Sequence, residues 1–153
     1  MKNSKYFILI SIIFLILILV LAYIRLSETK VFTYKSNELA SREVVFNFKK
    51  NTVSSSDIDF YLSNCNYTAY CIALNGKALF VVDDKKLTKG QSWRFDNTDF
   101  YVQDILNGFY LINCKNEKDN YFFLFKKRKG IVAYQPSKGV WHFIRGKYGM
   151  LAY

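Results

Sequence analysis

The chain has 153 residues, 22 Lys+Arg against 12 Asp+Glu, one His, three Cys and one Pro, with 51% hydrophobic and 18% aromatic side chains and a net charge of +10. That composition excludes a disordered chain, a collagen-like repeat and a multidomain enzyme. It leaves one small domain behind one hydrophobic segment.

The hydrophobic segment comes first. Tyr6 to Ile24 carries no charge, and Ser11 is the one interruption in its Phe, Ile, Leu, Val, Ala and Tyr content. As a helix those residues reach roughly 28 Å, about one hydrocarbon core. A cleaved signal peptide has a shorter apolar run and a small-x-small cleavage site, whereas Ala22-Tyr23-Ile24-Arg25 is bulky. The sequence therefore predicts an uncleaved transmembrane signal-anchor over 6–24, a cytoplasmic head over 1–5, a juxtamembrane linker over 25–36 and an exported domain over 37–153. Basic residues flank the segment on both sides (Lys2 and Lys5; Arg25, Lys30 and Lys35), so charge does not set its orientation. The short head and the cysteines of the domain favour a single-pass protein of a bacterial inner membrane with the domain in the periplasm. An oxidising compartment lets Cys65, Cys71 and Cys114 form one disulfide and leave one thiol, and sequence alone does not choose among the three pairings.

Val31 to Tyr34 reads as strand-like. The apolar positions Leu39, Ala40, Val44, Val45 and Phe48 fit a helical face with Ser36 or Asn37 as N-cap, although Val44 to Phe48 also alternates as a strand would. Ser54-Ser55-Ser56-Asp57 reads as a linker or cap cluster, followed by a short helix over 57–62.

From Tyr67 onward the pattern is one of short β-branched and aromatic runs between turn residues. Asn75-Gly76 and Asn107-Gly108 each join two such runs, as a type I′ hairpin turn requires. Lys129-Gly130 joins Tyr121–Lys127 to Ile131–Gln135, Gln91 to Phe95 adds a short strand, and Val140 to Ile144 a final one. About eight strands in roughly 80 residues describe a meander. The fold class is mainly β (α+β): a small antiparallel barrel or sandwich with one or two short helices, whose interior suits a small apolar ligand.

Catalytic motifs are sparse. His142 shares a strand face with Val140 and Ile144 and reads as structural, since no nucleophile or orienting partner is indicated. Cys65 and Cys71 are not a CxxC pair, and one His does not make an ordinary zinc set. Asp57/Asp59 and Asp83/Asp84 lack further acidic ligands at useful spacing. Asn66-Tyr67-Thr68 has the form of a glycosylation sequon, relevant only in a eukaryotic secretory pathway. The expectation is a non-enzymatic protein without metal or cofactor.

Charge is unevenly spread. Residues 25–114 hold 11 basic and 10 acidic groups, whereas residues 115–153 hold nine basic and two acidic, a net of +7. Lys126-Lys127-Arg128-Lys129, at a hairpin tip, is the centre of this surface and a candidate partner-binding element for an acidic protein or a phospholipid headgroup; nucleic acid is disfavoured for an exported domain. Tyr121, Phe123 and Phe125 in the adjoining strand are candidates for either a central strand or a protein interface.

A short head, one anchor and a β-rich exported domain give the chain a layout similar to that of the small periplasmic accessory subunits of membrane-bound transcription regulators, the ToxS and PsaF/MyfF types. The resemblance lies in layout across the whole chain and carries over no functional residue. It implies binding and stabilising the exported domain of a membrane-bound sensor. The competing expectation is an anchored immunity or exclusion protein that neutralises an incoming toxin through its charged surface.

Overall fold

The computed structural model describes residues 3–28, 30–37, 43–55, 58–65, 70–136 and 139–151, with side chains other than those of 3–9, 24–28, 58, 59 and 64. They form two units, 1–30 and 31–153. The first is one helix, α1 (Asn3–Glu28). Its described side chains run from 10 to 23 and are exposed, most of them large aliphatics. No helix among the described residues is long and apolar enough to cross a membrane; a crossing takes about 20 residues.

The second unit is a twelve-stranded antiparallel sheet: β1 (Val31–Ser36), β2 (Glu43–Asn47), β3 (Thr52–Ser55), β4 (Ile58–Asn64), β5 (Tyr70–Leu74), β6 (Lys77–Val82), β7 (Ser92–Phe95), β8 (Thr98–Leu106), β9 (Phe109–Lys115), β10 (Asn120–Lys126), β11 (Gly130–Gln135) and β12 (His142–Ile144). Strands that follow one another in sequence pair, except β6 and β7, and β1 also pairs with β12 (Tyr34 opposite Ile144, Ser36 opposite His142). Of the cyclic order, only the seam between β6 and β7 has no ladder among the described residues, so the sheet is a nearly closed barrel. A 3-10 turn, Asp84–Lys86, connects the two seam strands, with the Asp83 carboxylate accepting from Lys85 N–H at 3.1 Å.

The eight strands expected after Tyr67 are all present, from β5 to β12. Both Asn-Gly pairs adopt the left-handed conformation at both positions (φ 49° and 76°; 53° and 76°), which a type I′ hairpin demands. Three bulges, at Ile72/Ala73, Val102/Asp104 and Leu124/Phe125, add the local twist that closing a sheet needs.

Three expectations for 37–62 are corrected. The helical face proposed around Val44 to Phe48 is strand β2, with Val44 and Phe46 buried and Val45 on the other face; residues 38–42 of that proposal lie outside the described set. The Ser-rich linker begins within β3, where Val53 is buried. The helix over 57–62 is β4, whose Leu62 is buried while Tyr61 is exposed. In each case period-two burial against the barrel core outweighed local propensity. Among the described residues the short helices reduce to one 3-10 turn.

Strand direction defines two ends. At the root end, where the chain leaves α1 and enters β1, lie the β2–β3 turn, the 3-10 turn, the β8–β9 turn and the β10–β11 turn. At the far end lie the β5–β6 turn and the β9–β10 loop. The root end is plugged from within. Met150 and Leu151 are buried, Ile131 N–H donates to Met150 O (2.6 Å) and Gly149 N–H to Lys129 O (2.7 Å). Tyr34, fully buried, locks this strap: its hydroxyl donates to Ile131 O (2.6 Å) and accepts from Met150 N–H (3.1 Å). A Cβ at Gly149 would collide with the Ile131 carbonyl, so only glycine lets the strap lie this close.

Candidate functional site: a cavity open at the far end

The barrel core is aromatic, but its rings do not fill the far half. Phe46, Phe80 and Tyr134 meet one another at centroid distances of 5.7–6.3 Å, and Phe80 also contacts Tyr121 at 6.4 Å and Phe123 at 5.2 Å. Beside this cluster lies a cavity of about 740 Å³ lined by Phe46, Phe80, Tyr121 and Tyr134 and by residues of the far-end turns. Small-molecule sites typically occupy about 300–1,000 Å³.

Its walls come from alternate, inward positions of successive strands: Val44 and Phe46 of β2, Val53 and Ser55 of β3, Phe60 of β4, Phe80 of β6. Lys77, Asn116, Asp119 and Pro136 belong to the far-end turns and rim the opening. The rim is partly set by Asn116, whose side-chain oxygen accepts from Lys118 N–H (2.9 Å) and Asp119 N–H (2.8 Å) and shapes the β9–β10 loop. Tyr121 reaches across to the seam, its hydroxyl donating to Leu79 O of β6 at 2.5 Å. One side chain thereby ties the free edge of β6 to the opposite wall.

Two polar groups sit on the wall rather than the rim. Tyr134 stacks on His142 with centroids 5.1 Å apart and planes 10° apart. His142 Nδ1 lies 2.9 Å from Val140 O, and because a carbonyl only accepts, Nδ1 carries the proton and Nε2 is an acceptor in the neutral ring. Burial raises the Tyr134 phenol above its ordinary value, and the protonated hydroxyl can both donate and accept a hydrogen bond. The chemistry offered is an apolar hollow with two neighbouring hydrogen-bonding side chains on its wall.

The sequence-derived candidates separate in space. Tyr121, Phe123 and Phe125 point inward and are 8%, 0% and 2% exposed, so they are barrel core and not a partner surface; Phe122 and Leu124 form the half-buried outer face of that strand. Lys126 folds back, its Nζ lying 4.1 Å from the Phe109 ring centre and 3.3 Å from Asn107 O. Lys127, Arg128 and Lys129 are exposed at the root end, away from the cavity mouth. Cys65 and Cys71 form the disulfide, closing a short loop, and Cys114 is a buried free thiol hydrogen-bonded to Tyr121, with burial pushing its pKa up. His142 is buried and lines the cavity from the inward face of β12. Asp83 caps a turn, whereas the side chains of Asp57 and Asp59, and the Asn66 sequon, lie outside the described residues. Sequence reasoning missed the cavity-lining Val53, Ser55 and Phe60, because their segment had been read as linker and helix.

The described strands thus form a near-closed antiparallel barrel, plugged at one end and hollow at the other. No protein-family model, curated protein or solved structure matches this chain.

Proposed function

We propose that the chain is a non-enzymatic, membrane-anchored exported binding protein, whose barrel takes up a small apolar molecule carrying a hydrogen-bonding group and which acts with the exported domain of a membrane-bound regulator. The carrying observation is the 740 Å³ hollow with its apolar walls and the paired Tyr134 and His142. Anchoring is supported by the uncharged stretch from Tyr6 to Ile24, which falls within the helix Asn3–Glu28. Export is supported by the Cys65–Cys71 disulfide, which persists in oxidising compartments. The regulator role follows from the layout of head, anchor and β-domain.

The test of binding is a titration of the full-length protein in detergent with a naphthylamine probe that fluoresces in apolar surroundings. Ala78 lines the cavity, and Ala78→Trp should fill it. Saturable enhancement by the parent protein, lost in Ala78→Trp, supports the reading; equal, non-saturable signals from both refute it. In-cell crosslinking of a C-terminally tagged chain tests the regulator role. Recovery of a single-pass protein with a cytoplasmic DNA-binding domain supports it, and recovery of only an added toxin replaces it with immunity.

A further inference from the structure

The cationic groups are sorted by end. At the root end the β2–β3 turn exposes Lys49 and Lys50, the β10–β11 turn exposes Lys127, Arg128 and Lys129, and the strap exposes Lys147. The arc is continuous. β1 joins β2 on one side and β12 on the other, Gly149 N–H bonds Lys129 O, and Lys126 joins the β10–β11 turn to the β8–β9 turn through Asn107 O. The carboxylates at this end sit at its margin: Asp83 and Asp84 beside Lys85 and Lys86, and Asp104 paired with Lys89 at 2.8 Å. The far end mixes signs, with Glu117 and Asp119 among Lys115 and Lys118, and Arg94 against Asp99 at 3.7 Å.

Exposed hydrophobic side chains share the basic arc: Val31 at the start of β1 is 39% exposed, Leu106 at the β8–β9 turn 63% and Tyr148 in the strap 45%. Large side chains at turn tips beside lysines are the pattern of a surface that enters a bilayer interface, where an aromatic or aliphatic group dips and cations meet phosphate. On the anchor reading above, a bilayer is the charged surface available to these side chains, and an anionic one attracts each Lys or Arg that comes within about a Debye length of it.

We propose that the root end of the barrel binds anionic phospholipid headgroups, through the β2–β3 and β10–β11 turns and the strap, with Leu106 and Tyr148 in the interface. Seated this way, the barrel holds the cavity mouth on its far side, away from the lipid. The inference rests on the anchor reading above and adds an orientation and a lipid class to it.

Lysine acetylation footprinting of the full-length protein, reconstituted in vesicles of phosphatidylcholine alone or mixed with phosphatidylglycerol, tests it. Each lysine is read by mass spectrometry, with Lys77 and Lys115 at the far end as internal references. The expected result is acetylation of Lys49, Lys50, Lys127, Lys129 and Lys147 slowed about tenfold by phosphatidylglycerol relative to the references. The slowing should disappear at about 0.5 M salt. Simultaneous Lys127→Gln, Arg128→Gln and Lys129→Gln should return Lys49 and Lys147 toward the rate in phosphatidylcholine while leaving cavity probe binding intact. Equal rates in both lipids, from protein that stays in the vesicles through carbonate washing, overturn the seating and leave the anchor standing. Protein washed out by carbonate overturns the anchor and the seating with it. Protection that arises only when an acidic protein is added assigns the arc to that partner and overturns the lipid assignment.

Discussion

Tyr34→Phe removes one oxygen atom and nothing else. The ring stays in its aromatic cluster, 5.6 Å from Phe46 and 5.4 Å from Tyr134. What is lost is the hydroxyl that donates to Ile131 O and accepts from Met150 N–H. A neutral hydrogen bond contributes about 1 kcal/mol net, and a buried polar group left without a partner costs about 1–3 kcal/mol. Two backbone groups are stranded at a site with no exposure, so the substitution should destabilise the barrel by about 2–4 kcal/mol. Because both groups belong to the strap contact, amide exchange over 147–151 should accelerate more than exchange in β8 or β9. Urea unfolding of the full chain in micelles, followed by Trp93 and Trp141 fluorescence, gives the free energy, and mass-resolved hydrogen exchange gives the location. Tyr134→Phe is the control: Tyr134 lines the cavity and holds neither strap group, so the substitution should cost less than about 0.5 kcal/mol. A loss below about 0.5 kcal/mol for Tyr34→Phe, or equal losses for the two variants, would refute the strap account.

The cysteines make a second prediction: thiol titration should find no rapidly reacting group in the native protein, one after denaturation and three after reduction. Removing the Cys65–Cys71 bridge, which spans six positions, should cost about 2 kcal/mol by loop entropy in the same urea assay. Alkaline pH should unfold the barrel. Burial raises the phenols of Tyr34, Tyr121 and Tyr134 above their ordinary value of 10.0, so they keep their protons in the folded state while the unfolded chain releases its own. Their contribution is intact below that ordinary value and is lost as pH rises beyond it, at about 1.4 kcal/mol per pH unit for each group. Tyr134→Phe should make the loss shallower, and an unchanged slope would contradict the assignment. Finally, Gly149→Ala should cost about 2–4 kcal/mol by forcing the strap off the Ile131 carbonyl. Gly76→Ala meets open space at φ +76° and should cost only about 1 kcal/mol for its left-handed backbone; thermal midpoints rank the two.

The later strands were legible because their signals are local. An Asn-Gly pair between alternating runs encodes turn type, register and direction within a dozen residues, and β5–β6 and β8–β9 follow it. Strands β2 to β4 carry no such pair. Their turns depend on Asn47, whose side chain accepts from Lys49 N–H and Lys50 N–H, and on Asn51 at φ 53°, features that specify a turn only once the strands are in place. The cavity was legible only as the hollow of a barrel. Its lining joins positions from Val44 to His142, and a union of single inward residues from so many strands leaves no motif in the chain. The run from Tyr121 to Phe125 shows the converse: it is apolar on both faces, so the sequence asks for cover on both but does not say which face takes the barrel interior. Choice of cysteine partner was likewise set by geometry, since Cys114 lies in the core beside Tyr121 while Cys65 and Cys71 flank a short loop.

The measurement closest to the central claim is native mass spectrometry of the full-length protein released from its own membranes in mild detergent, with Ala78→Trp prepared in parallel. The account predicts a one-to-one adduct of a small apolar molecule on the parent protein, absent from Ala78→Trp and displaced by the naphthylamine probe. An adduct retained equally by both proteins, or a parent protein that is bare and fails to bind the probe, would contradict it.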